Sequence, residues 1–406
     1  MVANSPSLSE QSRRAGPVTT SDNSDGLFDT TAILRPVPLT YRGKARSKRP
    51  PDAAPHGRVT ILVPAHNEAD GIYVTVQGLL SQSQRPDQVI VVADNCTDDT
   101  AEIARTAGAT VMESVGNRHK KAGALNQALA RLLPDTAPDD LIMVVDADSV
   151  LDFDFLRNAT AWLMSDPSLG AIGGLFRGGP GGGFVGHLQR NEYERYRRDV
   201  HRLRGKCLVV TGTAALFRAS TLLSVSRARL AGVLPAGNGI GGVYDTSVLT
   251  EDNELTFALK TLGYGVLSPS DCTLTTEVMT SWGDLWRQRE RWKRGAVENC
   301  IQYGFTRVTW RYWGRQFVTM LGVLITFAYL GSIVFSLAFY GGLHVKLFWL
   351  GVTGIFMIER VVTVRYRGWR QMLISASMYE LVLDYFLQFV HAKAYAMSLL
   401  RRERKW

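Results

Sequence analysis

Between Gln316 and Val345 the chain carries no formally charged side chain. No other feature limits the fold as much, because a run this apolar must be buried on every side or must lie in lipid. Residues 317–340 alone, 24 in number, rise ~1.5 Å each as a helix and cover the ~30 Å hydrocarbon core with some tilt. The charges around the run point the same way. Residues 301–406 hold 13 Lys/Arg against 4 Asp/Glu, whereas residues 1–300 hold 33 of each, so the net charge of +9 falls in the last quarter. A nucleic-acid binder would carry its basic residues on a folded polar face. Basic residues that flank apolar segments instead suit a membrane with an anionic cytoplasmic leaflet.

Two further segments follow in this membrane region, residues 306–406. A second span is expected at about 345–364, interrupted by Glu359-Arg360, which needs screening by a neighbouring helix. A third segment, 372–400, carries Glu380, Asp384, Gln388 and His391 on one helical face, which fits a packed or an interfacial helix. The basic groups 365–370 and 401–405 both favour the cytoplasm, which argues against three full spans. At the other end, residues 1–57 are rich in Ser, Thr, Pro, Asp and Arg and are expected to be a disordered leader without a secretory apolar core. The four cysteines have no paired or metal-ligand spacing. The folded part before the apolar run is therefore expected on the cytoplasmic side of a cell (inner or plasma) membrane, in a multi-pass protein.

From Arg58 the pattern becomes regular. Short aliphatic runs at 59–63, 88–93 and 141–145 alternate with helical patterns at about 71–82, 99–107 and 122–133. That alternation predicts an α/β domain over 58–305, with a mixed, mostly parallel sheet flanked by helices. Ligands of such sheets sit at the carboxyl ends of the strands. Residues 173–186, with eight glycines, are expected to form a loop, 187–206 a charged helix and 208–211 a strand.

The polar clusters fall at those strand ends. Pro64-Ala-His-Asn67-Glu68 follows the first run and Asp94 the second. Asp146 and Asp148 close the third, two positions apart and so on one side of the chain. Carboxylates at that spacing suit a hard divalent cation, Mg²⁺ or Mn²⁺, which in turn suits a diphosphate. Lys121 lies near a helix start, where a phosphate is well placed. Thr250-Glu251-Asp252 opens another helix, and Gln288-Arg-Glu-Arg291-Trp292 lies in an aromatic, basic one. Taken singly, several of these groups also fit capping, turn or membrane-interface roles.

Together and in this order, the motifs resemble inverting family 2 glycosyltransferases with the GT-A fold. They are most similar to the membrane-embedded branch that includes cellulose, hyaluronan and poly-N-acetylglucosamine synthases. The resemblance covers 59–292 plus the following apolar helices. It implies nucleotide or donor binding by Pro64, Asn67, Glu68, Asp94, Lys121, Asp146 and Asp148. It implies a metal on Asp148, with Asp146 beside it, and Asp252 as the catalytic base. Gln288, Arg291 and Trp292 are implied at the acceptor and diphosphate, and Gly212, Thr213, Glu251 and Trp292 around the acceptor. Departures are the lack of membrane helices before the catalytic part and of a Phe-x-Val-Thr-x-Lys-like segment after Trp292, so processive synthesis is not implied.

The chemistry of these residue types is coherent. A UDP-sugar would lose its diphosphate as a saccharide or lipid-linked acceptor attacks the anomeric carbon. One base and no protein nucleophile imply a single displacement with inversion. Membrane lipids are expected partners, with an oligomer or accessory membrane subunit as a further possibility and no nucleic acid. The competing expectation is a non-catalytic, nucleotide-sugar-binding partner of a polysaccharide synthesis complex. A dinucleotide oxidoreductase is disfavoured because no Gly-x-Gly-x-x-Gly follows the first run.

Overall fold

The computed structural model describes residues 56–342, 347–365 and 368–400. The expected leader, except for 56 and 57, and the basic tail 401–406 lie outside them. The sheet grows from the aliphatic runs. Strand β1 (Val59–Ala65) leads through α1 (Ile72–Leu80) to β2 (Gln88–Ala93), then through α2 (Thr100–Thr106) to β3 (Thr110–Glu113). Helix α3 (Lys120–Leu132) returns the chain to β4 (Leu141–Val145). β1 pairs in parallel with both β2 and β4, and β2 with β3, as expected when helices make each crossover.

The second half is built from shorter pieces: β5 (Ser149–Leu151), α4 (Phe155–Met164), β6 (Leu169–Gly173), β7 (Leu175–Gly178) and α5 (Gly183–Arg202). They are followed by β8 (Ala214–Arg218), α6 (Ala219–Leu230), α7 (Glu251–Thr261), β9 (Gly265–Leu267) and β10 (Thr273–Thr276). The main sheet has seven strands in the order β3-β2-β1-β4-β8-β6-β9, with β8 antiparallel to both neighbours. A three-stranded sheet, β5-β10-β7, lies beside it. The expected mixed, mostly parallel sheet flanked by helices is therefore what forms.

Two expectations need correction. The glycine-rich segment 173–186 is not one loop, because β7 forms inside it by pairing with β10, about a hundred residues later in the chain, and α5 begins at Gly183. Residues 208–211 are irregular, and the strand begins at Ala214, where pairing with β4 becomes available.

Side-chain alternation splits the core in two. Val59, Ile61 and Val63 of β1, with Leu141, Met143 and Val145 of β4, pack beneath α1 and α4. Leu62, Ile142 and Val144 face the opposite layer, built from Leu125 and Leu129 of α3, Leu222 of α6 and Leu255 of α7. With both faces covered, open polar space remains at the strand ends.

Five helices complete the described chain: α8 (Trp282–Tyr303), α9 (Trp310–Tyr340), α10 (Leu347–Thr363), α11 (Trp369–Ala376) and α12 (Leu381–Leu399). α9 is long and apolar enough to cross a membrane, and Phe317, Val318, Leu324 and Ile325 are exposed on it. α10, at 17 residues, is shorter. α11 and α12 meet at a 62° bend and would cross only as one broken span.

The break at 359–360 is tied to the catalytic body. Arg360 donates to Glu380 at 2.7 Å and also to Asp384. Arg195 and Asn191 of α5 donate to the same Glu380, and Arg198 donates to Glu359.

Candidate active site

Strand registers bring the motifs together. Ala65 pairs with Ala93, and the Asp94 N–H donates to the Ala65 carbonyl at 2.8 Å, so Pro64–Glu68 and Asp94 end level. β4 ends one strand over, and the Asp146 N–H donates to the Thr213 carbonyl at 3.0 Å. The antiparallel β8 thereby delivers Gly212-Thr213 to the same rim. An open cleft of about 200 Å³ results, lined by Pro64, His66, Glu68, Asp94, Lys121, Asp146 and Asp148.

Within it Asp94 is buried, and its Oδ1 accepts from Ser114 (2.6 Å), Asn117 (2.8 Å) and Asn95 (3.1 Å). Its Oδ2 has no partner among the described residues and is left as an acceptor. Asn67 does something else: in a left-handed conformation (φ 56°), its Oδ1 accepts from the Thr97 N–H at 2.8 Å. It shapes the loop between β2 and α2 and does not line the cleft.

The cleft carries excess negative charge. Burial raises the Glu68 carboxyl to about 6, with further help from Asp148, Glu277 and Asp146. Among the described residues Asp148 accepts only from hydroxyls, Ser149 at 2.9 Å and Thr276 at 3.4 Å. Asp146 is ion-paired with Lys121. A carboxylate cluster with one ammonium among four acids fits a bound divalent cation, for which Asp148 is the free oxygen ligand. Among the described residues no group of three or more His, Cys, Asp or Glu forms a ready-made metal cage, so the remaining ligands would come from water or a diphosphate, as is usual for Mg²⁺.

Lys121 also lines a second, small cavity of about 20 Å³, together with Gly212, Tyr244, Glu251 and Asp252 among others. Its ammonium donates to the Gly212 carbonyl at 3.1 Å and lies 3.6 Å from Glu251. Burial would push its pKa down, but Asp146 and Glu251 outweigh that and hold it above the usual lysine value. The preceding Lys120 adopts φ 51°, rare for lysine, at the turn into α3.

Asp252 is fixed from two sides, its Oδ2 accepting from Gly212 N–H (3.1 Å) and its Oδ1 from Asn253 N–H (2.7 Å). Burial and the adjacent Glu251 raise its carboxyl to about 6, against the pull of Lys121. A Cβ on Gly212 would stand 3.2 Å from Asp252 Oδ2, so any larger residue would crowd the carboxylate by a few tenths of an ångström. Thr213 has a buried hydroxyl oxygen without a partner among the described residues.

Gln288, Arg291 and Trp292 of α8 are not among the residues that line the two cavities. Arg291 acts electrostatically on Lys120, the neighbour of Lys121. Trp292 is 37% exposed, and the Arg289 guanidinium sits 4.3 Å from its ring centre. Gln288 Oε1 is buried without a partner among the described residues.

Some contributors were not singled out from the sequence. Glu277 and Thr276 enter from β10 and its end, and Arg289 backs Trp292. Asn126 clamps the loop that carries Tyr244, donating to the Tyr244 carbonyl (2.8 Å) and accepting from its N–H (2.9 Å). Only Asn126 left a signal, as the last residue of Lys121-Ala-Gly-Ala-Leu-Asn126.

Comparison with known proteins agrees with this architecture. A family profile described as "Glycosyltransferase like family 2" matches residues 55–295. The poly-beta-1,6-N-acetyl-D-glucosamine synthase of Staphylococcus aureus (strain MSSA476) is 26% identical over 285 residues, 67% of this chain and 64% of that protein. The synthase of the same name from Staphylococcus epidermidis is 26% identical over 251 residues, 60% of this chain and 56% of that one. The chain thus spans under two thirds of the length of these relatives. Among solved structures, a mannosyltransferase from Pyrobaculum calidifontis in complex with GDP-Man and Mn2+ superposes with a TM-score of 0.58 at 20% identity, covering 87% of this chain and 90% of that one. That likeness concerns the fold, which is of the GT-A type.

Proposed function

The chain belongs to glycosyltransferase family 2, and from that premise we propose that it is a membrane-anchored inverting enzyme that transfers a sugar from a UDP-sugar to a saccharide or lipid-linked acceptor. The observation that carries this reading is Lys121, shared between the acidic cleft and the Asp252 cavity. A donor diphosphate and an acceptor hydroxyl would then meet across one ammonium. The names of the staphylococcal relatives support an N-acetylglucosamine donor.

In this reading Asp94 Oδ2 accepts from the nucleobase, and Pro64 and Glu68 wall its side of the cleft. A Mg²⁺ or Mn²⁺ ion held by Asp148, with Asp146 beside it, supplies charge neutralisation for the leaving diphosphate. Lys121 and Arg291 add fixed positive charge where negative charge grows. Asp252 takes the acceptor proton, its raised carboxyl bringing it closer to neutral pH than an ordinary aspartate. Gly212 holds that base in place. Glu251, Thr213 and Gln288 offer polar contacts to the acceptor, and the exposed part of Trp292 receives a sugar ring. Attack opposite the leaving group gives inversion.

The catalytic domain, 58–305, would face the cytoplasm, with 317–340 crossing the cell membrane. Segment 345–364 would form a second span, and the bent 372–400 would re-enter or lie at the interface. The test is UDP release from a donor panel, GDP-mannose included, by detergent-purified protein with Mn²⁺ or Mg²⁺. Turnover that needs the cation and is lost in Asp252→Asn supports the reading. Nucleotide binding without turnover on any acceptor would instead favour a non-catalytic partner of a synthesis complex.

A further inference from the structure

Where α8, α9 and α12 meet, a group of basic side chains, from buried Arg289 through half-buried Lys293 to exposed Arg315, has little counter-charge around it. Lys293 of α8 places its ammonium 4.9 Å from the centre of the Tyr395 ring and has no hydrogen-bond or ion-pair partner among the described residues. Burial, reinforced by the Arg315 guanidinium, pulls the Lys293 pKa down to about 7. His391 of α12 stands close enough to Lys293, Arg289 and Arg315 to feel all three charges, and its Nδ1 is buried without a partner. Arg289 spends Nη2 on Glu192 at 2.8 Å, while its Nε is buried and unpartnered. Glu192 is the one carboxylate bonded to any of these four residues among the described ones. The neighbouring Glu290 is occupied by Lys393 at 2.9 Å and by the Trp286 indole.

Clustered cations repel one another, and a half-buried one such as Lys293 is costly to keep unless something else supplies the opposite charge. The location says what that is. Arg315 lies two residues before Phe317, where the exposed apolar face of α9 begins. The Tyr395 hydroxyl donates to the Gln316 carbonyl at 2.9 Å, which fixes α12 against this same turn. In a bilayer entered by 317–340, this is the depth of the lipid phosphates.

We propose that Lys293, Arg315, Arg289 and His391 form a binding site for the phosphate headgroup of an anionic membrane lipid. The three cations and the imidazole supply the charge-assisted donors that a phosphate requires, and the apolar face of α9 receives the acyl chains. The inference rests on the reading that 317–340 enters a membrane.

The experiment uses the full chain in mild detergent, titrated with phosphatidylglycerol, phosphatidylcholine or glycerol phosphate. Thermal unfolding and native mass spectrometry report binding. Phosphatidylglycerol is expected to raise the unfolding midpoint and to be retained, with phosphatidylcholine and glycerol phosphate doing neither. Lys293→Met and Arg315→Gln should each weaken phosphatidylglycerol binding at least about tenfold, the effect of losing one charge-assisted hydrogen bond. Without lipid, Lys293→Met should unfold no earlier than the parent chain, because it removes a half-buried charge that has no ion-pair partner among the described residues. Equal lipid responses in the parent and both variants would overturn the site, as would a lipid-free Lys293→Met that is clearly destabilised. An equal response to glycerol phosphate would replace the lipid with a free phosphate and overturn the proposal. Alkaline extraction of membranes separates the two readings: release of the chain into water sinks the membrane reading and this site with it, whereas retention with unresponsive variants sinks the site alone.

Discussion

Two clusters of charge in this molecule are built on opposite plans. In the cleft, Glu68, Asp148 and Glu277 crowd together and only Asp146 is paired to a lysine. Between α5 and the C-terminal helices, Glu380 is almost fully buried yet accepts from Asn191, Arg195, Arg360 and Ser375, and Asp384 balances Arg360. The second cluster is balanced within the chain and serves to hold the catalytic body on its helices. The first is balanced only when something binds. Unpaired charge in a cleft signals a ligand, whereas paired charge in an interface signals architecture.

The contrast can be broken by substitution. The largest effect is expected from Asp252→Asn, which should lower kcat by roughly 10²–10⁴-fold, the usual worth of a positioned base, with donor affinity kept, as measured by UDP release and nucleotide binding. In the balanced cluster, Glu380→Ala should cost about 3–5 kcal/mol by stranding Arg195 and leaving Arg360 with Asp384 alone, read as a drop in unfolding midpoint with nucleotide affinity preserved in the folded fraction. Asp148→Asn should do the reverse: activity falls by about 10²–10³-fold and cation dependence is lost. The ligand-free protein becomes no less stable, because a like charge has been removed. A destabilised Asp148→Asn would erase the distinction between the clusters. Gly212→Ala displaces Asp252 by a few tenths of an ångström and should cost about tenfold in kcat with little change in stability. The mildest probe is pH. A base with a carboxyl near 6 is active when deprotonated, so kcat/KM should hold above pH 7 and fall about tenfold per unit below pH 6. A profile flat down to pH 5 would contradict the raised carboxyl of Asp252.

The contrast also explains what was legible beforehand. The aliphatic runs at 59–63, 88–93 and 141–145 became β1, β2 and β4 because uninterrupted β-branched sequence between helices leaves little alternative. That framework alone placed Asp94, Asp146 and Asp148 on one rim. The strands that escaped notice, such as β7, β9 and β10, have only three or four residues and exist through pairing with distant segments. Glu277 and Thr276 were hidden with them. Asn126 was visible as a motif residue, but its grip on Tyr244 depends on the irregular course of 231–250, which no periodicity encodes. The 359–360 break was visible as a problem; of its partners, Arg198 stood in a helix that read as merely charged, and Glu380 and Asp384 read only as a polar stripe.

The shared ammonium of Lys121 has one more consequence. Because the same cation answers to Asp146, Glu251 and Asp252, neither cavity has an electrostatic ledger of its own, and replacing any of these acids redistributes the field felt by the other two. Paired substitutions across the rim will therefore depart from the sum of their separate effects, and the reaction is better described as one hub than as a donor half joined to an acceptor half.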